Sequence, residues 1–485
     1  MLLRPKERLN HNMKKNAFMV ISSNLLTLLV SLFMGFVIPK YLSVDDYAYY
    51  HIYQLYIAYA GFFHLGLVNG IYLKYGHLDV DELPVNDFRK YSRAMVILQL
   101  GMAALLLVIL FLLFPEDRNI GVAYAFTIVN IPLMNIKWFY SSINQFTKRF
   151  VIDSAVTYMQ NVLQCVMVAA VIIFSLYNYL VLLIAVTLIN LICMIAVMIQ
   201  NKQFVNVFAI TKEETKPDRS VGSLIKGGFF FMISEFVAII ILGIDSIFVQ
   251  NLFTLTDFAM YSFAVSIISV MYTLISTVSN LIYPYLVRVD DDKYAKYYTL
   301  MSDVLTFVAL MSMLAFYVAK FLVINWLDKY EASLFIASIL FGTVIFRTLI
   351  MLVCGNYFKV LKMTKEYTKN NFFSIVLAFV LDFLAYIIFK DCTYIAYASL
   401  LAFIIWYVVT DFVFIKRLQI EKKTCFNRYL CIAICLTLFY SLFRVSDIIA
   451  FVIYMIVAAV VCIVCFRKHI REIVNGKDTG EKAGK

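Results

Sequence analysis

Charge is what this sequence lacks. Only 15% of its 485 residues are Asp, Glu, Lys or Arg, where a soluble globular domain carries roughly a quarter, so a water-facing surface cannot be built from it. There is no phosphate-cradling loop of the Gly-x-x-x-x-Gly-Lys-Ser/Thr type, which excludes ATP hydrolysis by this chain. Cysteines number nine, but they are scattered, mostly inside apolar runs (Cys165, Cys193, Cys354, Cys431, Cys435, Cys462, Cys465), with neither metal-ligand nor disulfide spacing. They read as small apolar residues, and no metal and no cofactor are expected. His51 and His64 stand apart from other potential ligands and read as packing residues.

What is present in their place is hydrocarbon: 63% of the residues are hydrophobic and the mean hydropathy is +0.84. Apolar runs of the 18 to 25 residues needed to cross a core of about 30 Å recur from residue 17 to residue 466. They predict helices over 17–39, 47–71, 92–114, 119–145, 151–175, 178–200, 223–250, 256–286, 297–325, 331–358, 371–389, 394–415, 429–443 and 447–466. The fold class is therefore all-α, a polytopic membrane protein of about fourteen helices. Arg4, Lys6, Arg8, Lys14 and Lys15 precede the first run, which is too long for a signal-peptide core and lacks a small-residue cleavage site, so it is read as a retained helix.

Placing both termini in the cytoplasm leaves only Lys40, Arg118, Lys329, Lys390 and Arg444 on outer loops. Lys137, Lys320 and Arg347 then lie within spans, and the rest of the 42 basic residues face inward. The formal charge of +11 is thus a topology signal, and nucleic acid is not an expected partner. Clusters such as Lys416, Arg417, Lys422, Lys423 and Arg428 are read as facing anionic membrane lipids, and Lys320 as snorkelling to headgroups. The polar segment 201–222 reads as a cytoplasmic linker between a six-helix lobe at 17–200 and a second at 223–418. Residues 419–466 supply two additional helices, and 1–16 and 467–485 are cytoplasmic tails.

A weak internal repeat supports the two lobes. Asp46, Ala48, Tyr50, Ile57, Asn69, Ile71 and Tyr72 recur 211 residues on as Asp257, Ala259, Tyr261, Ile268, Asn280, Ile282 and Tyr283. An even number of helices in each lobe starts both on the same side, which makes the repeats parallel and puts substrate near the midplane between them. The repeated Asp46 and Asp257 read as helix caps.

Polar residues inside spans are the candidate site. Ser262, Ser266, Ser269, Thr273, Ser276 and Asn280 share one helix face, as do Asn24, Thr27 and Ser31 in the first helix; such stripes either pack helices or line a wet lumen. Glu235 and Asp245 lie deep enough in the seventh helix to be costly in lipid and are candidates for coupling to H⁺ or Na⁺.

The segments Pro39-Lys-Tyr-Leu-Ser-Val-Asp-Asp-Tyr-Ala-Tyr-Tyr50, Leu65-Gly-Leu-Val-Asn-Gly-Ile71 and Gly243-Ile-Asp245, with Asn24 in the first helix, resemble the polysaccharide transporter branch of the MOP superfamily, the Wzx-type flippases. That resemblance implies two six-helix lobes with two extra helices. It also implies no covalent chemistry, hence no catalytic residue, and transport of an undecaprenyl-diphosphate-linked O-antigen or capsule unit across the bacterial inner membrane. A polysaccharide polymerase and a chain-length regulator would be partners. Lys137 and Arg347, roughly 10 and 14 Å deep at 1.5 Å per residue, would then meet the diphosphate; a buried pairing with Glu235 or Asp382 is the alternative. A drug exporter of the MATE type, or a glycosyltransferase or polymerase using Asp45 and Asp46, are the competing functions.

Overall fold

Inside a bilayer no water is at hand for the peptide groups, so each crossing segment closes its hydrogen bonds within a helix. A computed structural model describes residues 5–205 and 220–467, without the side chains of 5–18, 234, 235, 238, 277, 280, 281, 284, 285 and 422–424. Most of the 201–222 segment and of the two tails therefore lies outside the described residues. Among those described there is no strand.

The chain divides into two compact units, Met1–Gly243 and Ile244–Lys485. Unit 1 holds α1 (Pro5–Tyr41), α2 (Val44–Ile57), α3 (Leu67–Tyr75), α4 (Val85–Leu112), α5 (Arg118–Phe146), α6 (Phe150–Ile173), α7 (Tyr179–Gln200) and most of α8 (Val221–Leu252). Unit 2 takes the end of α8, then α9 (Leu255–Leu286), α10 (Tyr294–Ser312), α11 (Leu314–Trp326), α12 (Ser333–Thr348), α13 (Gly355–Val360), α14 (Thr364–Phe389), α15 (Cys392–Arg417), α16 (Lys422–Ser441) and α17 (Asp447–Cys465). Twelve helices among the described residues are long and apolar enough to cross a membrane, and thirteen if the bent pair α2–α3 is one span. With α8, which contributes the apolar stretches Val221–Ile233 and Ile239–Leu252, every expected crossing has its helix. The protein is an all-α, multi-pass membrane protein.

The repeated loops start their helices in the same way. Ser43 caps α2, accepting from the Asp46 amide at 3.0 Å, and its hydroxyl donates to Asp46 Oδ2 at 2.6 Å. At the corresponding place Thr254 Oγ1 accepts from the Asp257 amide at 3.2 Å, and the Thr254 amide and hydroxyl donate to Asp257 Oδ2 at 3.2 and 2.7 Å. The Asp at each position is therefore not the cap but the third helical residue, bonded to the cap; Asp257, which also accepts from the Thr254 amide, closes a capping box. Asp46 also accepts from the Tyr179 amide at 3.1 Å, tying α2 to the start of α7.

Three expected helices are interrupted, the ninth, read as continuous over 297–325, only by a single turn residue, Met313, between α10 and α11. The second, read as continuous over 47–71, breaks at a 3₁₀ turn, Ala60–His64, and bends by 54° between α2 and α3. Leu65 and Gly66 there have φ of 51° and 83°, and the Gly66 amide donates to His64 Nδ1 at 3.0 Å, so His64 holds the turn. Its neighbours dictate the break: a Cβ on Gly66 would lie 2.6 Å from the Phe229 nitrogen, and one on Gly70 would lie 2.0 Å from the Leu224 carbonyl oxygen. Backbone meets backbone where α3 lies against α8, which only glycine permits. The tenth, read as continuous over 331–358, opens into a π turn at Leu349–Cys354 between α12 and α13, the kind of local defect that recurs at functional sites.

Two cations bind where sequence placed them elsewhere. Arg428, grouped above with lipid-facing residues, is fully buried; its Nε donates to Asp303 at 3.0 Å and its Nη1 lies 3.4 Å from Asp411 and 3.1 Å from the Tyr407 hydroxyl. Lys320 does not snorkel: its Nζ is 2.8 Å from Asp447 Oδ1 and donates to the Phe443 carbonyl. In both cases carboxylates on neighbouring helices offer a fixed, charge-assisted partner that mobile headgroups cannot match. Together the two pairs fasten opposite ends of the added helices α16 and α17 to α10, α11 and α15.

Candidate functional site

In unit 1 the broken second helix frees carbonyls that its own backbone cannot satisfy, and amide side chains meet them. Asn135 on α5 donates to the Ala60 carbonyl and to Gln99 Oε1, both at 2.8 Å, and Gln99 on α4 donates to the Phe63 carbonyl at 2.9 Å. A second chain runs from Asn190 on α7 to Asn130 Oδ1 at 2.8 Å, and from Asn130 to Thr187 at 2.7 Å. Both networks lie beside Pro132, which sits within α5.

Lys137 lies two residues beyond Asn135. It is partly buried, and its Nζ donates to Gln160 Oε1 on α6 at 3.0 Å, a neutral partner. On α1, Asn24 and Ser31 are exposed, whereas Thr27 accepts from Asn161 Nδ2 at 2.8 Å and so joins α1 to α6.

Unit 2 places Arg347 at the end of α12, immediately before the π turn. It is 7% exposed, its guanidinium carbon sits 3.8 Å from the centroid of the Tyr272 ring, and the Tyr272 hydroxyl shares a hydrogen bond with Thr343 at 2.5 Å. Nε and Nη1 of Arg347 have no hydrogen-bond partner among the described residues. Stacking on a desolvated ring recovers about 2 kcal/mol. Inserting the cation costs about 2.5 to 3.5 kcal/mol, and each unmet buried donor adds about 1 to 3 kcal/mol. The balance stays unfavourable until an acceptor arrives.

Asp245, on α8, accepts from the Tyr261 hydroxyl at 2.7 Å, from Ser399 Oγ at 3.2 Å and from the Ser246 amide at 2.6 Å. Asp382, on α14, is fully buried and neither of its oxygens has a partner among the described residues; the charges of the two carboxylates act on one another. Four helices, α8, α9, α14 and α15, thus contribute to a pair of acids that, among the described residues, bonds to no cation, and Asp382 is not the counter-ion of Arg347. Two such carboxylates near one another cannot both be ionised cheaply.

Along α9 the hydroxyls of Ser266, Ser269, Thr273 and Ser276 bond back to carbonyls of their own helix. Ser262 is buried, while Ser269 and Thr273 are exposed. The side chains of Glu235 and Asn280 lie outside the described residues. Sequence reasoning took Asp382 only as a possible partner for a cation and passed over Ser399, Tyr261 and Tyr272 as site residues. A lone acid in the apolar run 371–389 was the available signal for the first.

No family model matches the chain, and no curated protein does. Among solved structures it is similar to "Lipid II flippase MurJ, inward closed conformation", with a TM-score of 0.65 at 13% identity over 95% of this chain and 99% of that one. It superposes more loosely on a MATE structure solved in complex with MaD5 (TM-score 0.45, 11% identity, 81% of this chain and 96% of that one) and on "MATE transporter ClbM in complex with Rb+" (0.40, 11%, 81% and 91%). The first likeness shows a shared fold over nearly the whole length of both chains.

Proposed function

We propose that this chain is an alternating-access flippase that turns an undecaprenyl-diphosphate-linked oligosaccharide from the cytoplasmic to the outer leaflet of a bacterial inner membrane, without covalent chemistry. The observation that carries the reading is Arg347: a buried guanidinium on an aromatic ring with two unmet donors suits a diphosphate, which supplies both charge and acceptors. The same cation repels organic cations and so disfavours a drug exporter. Sharing a fold with a lipid II flippase supports the reading, since a lipid-linked saccharide is the class of cargo that protein's name states.

Lys137, whose described hydrogen bond goes to a neutral amide, is assigned a second contact to the diphosphate. Asn24, Ser31, Ser269 and Thr273, exposed along their helices, are assigned to the wet lumen. The Asp245–Asp382 pair is assigned to coupling: entry of H⁺ or Na⁺ neutralises it and its release restores the repulsion. Glu235 is kept as a second candidate for coupling.

Arg347→Ala and Lys137→Ala should insert normally yet abolish surface polysaccharide, with lipid-linked units accumulating inside, while Lys137→Arg keeps part of the activity. Export at the parental rate by both alanine variants at equal protein level would overturn the site. Flipping in vesicles that survives collapse of both the H⁺ and Na⁺ gradients would overturn the coupling.

A further inference from the structure

Five of the nine cysteines lie on the last two helices: Cys425, Cys431 and Cys435 on α16, and Cys462 and Cys465 on α17. Cys431 and Cys435 are one helical turn apart and share a face. Opposite them stands Cys462, with its Sγ 3.6 Å from that of Cys431. All three are buried, and their sulfurs lie within 4.8 Å of one another, a grouping of potential metal ligands that no other set of described residues forms. Spacing along the chain hides it, because the third thiol comes from the neighbouring helix.

We propose that Cys431, Cys435 and Cys462 form a site for a soft monovalent ion, Cu(I). Three sulfurs around one ion, at metal–sulfur bonds of about 2.3 Å, spread to about 4 Å from each other, inside the spacing found here. The donor set is all sulfur, with no carboxylate and no imidazole in it, which selects Cu(I) over hard cations. Zn²⁺ in a closed structural site takes four ligands, and the group offers three. On binding, the three thiols lose their protons to water, since the thiolate is the ligand form, so three protons leave and the complex carries a net charge of −2. Cys465, one turn past Cys462 and half-buried at the end of α17, is the step by which the ion reaches the site. Once bound, the ion ties α16 to α17 near the end that Arg428 already anchors. The inference is independent of the transport reading, since it uses none of the residues assigned there.

The test is a titration of the reduced, full-length protein in nanodiscs with Cu(I) against a chromogenic Cu(I) chelator, followed by X-ray absorption at the copper edge. The expected result is one ion per chain bound by three sulfurs. Cys431→Ser, Cys435→Ser and Cys462→Ser should each weaken binding by more than the roughly ten- to hundredfold that loss of an outer-shell partner costs, while Cys193→Ser in unit 1 leaves it unchanged. The absorption spectrum of the parental protein needs no variant and so guards against misfolding. Oxygen or nitrogen in the first coordination shell, parental affinity in the triple serine variant, preference for Zn²⁺, or a Cys431–Cys462 disulfide that takes up no Cu(I) after reduction would each overturn the site.

Discussion

The two units meet one problem, polar atoms among apolar helices, with different chemistry. In unit 1 the named networks run between amides: Asn135 and Gln99 bond each other and the carbonyls freed by the break before α3, and Asn190 bonds Asn130. In unit 2 the work falls to charges: Arg428 with Asp303 and Asp411, Lys320 with Asp447, and the pair Asp245 and Asp382, which among the described residues bonds to no cation. An amide network is indifferent to pH and to ion gradients, because its members do not change charge. A buried carboxylate pair is not indifferent, so on the proposed function coupling belongs to unit 2 while unit 1 supplies a rigid frame around its bent helix.

That contrast has a graded consequence for stability. Arg428→Ala leaves two buried carboxylates without their cation and should cost about 3 to 5 kcal/mol, read from the unfolding midpoint in detergent; replacing Arg428, Asp303 and Asp411 together by apolar residues of similar volume should recover most of the loss. In unit 1, Asn190→Ala removes one donor from a neutral network and should cost only about 1 to 3 kcal/mol. An amide substitution costlier than the charged one would break the comparison. Smallest in stability is Asp382→Asn, an isosteric change at a residue with no hydrogen-bond partner, for which a shift within about 1 kcal/mol is expected. Its effect should appear instead in function: transport that no longer responds to the ion gradient. A variant that stays fully gradient-dependent would return the coupling role to Glu235.

Much of the fold was legible in the sequence, and for a physical reason. Run length against bilayer thickness locates a crossing without any knowledge of its neighbours, and the helix caps at Ser43 and Thr254 are local, so the repeat that contains them could be read from spacing alone. Depth along a helix is also local, which is why Arg347, Lys137 and Asp245 stood out as costly residues. What depth does not reveal is direction. Rotation of a helix about its axis is set by the helices it packs against, and that decided which cation found a carboxylate, which acid was left without one, and that Cys462 would meet Cys431 and Cys435 across two helices. The break before α3 belongs to the same class: the segment from α2 to α3 is apolar enough to run straight, and it bends because Gly66 and Gly70 lie against the backbone of α8 at a distance no side chain allows.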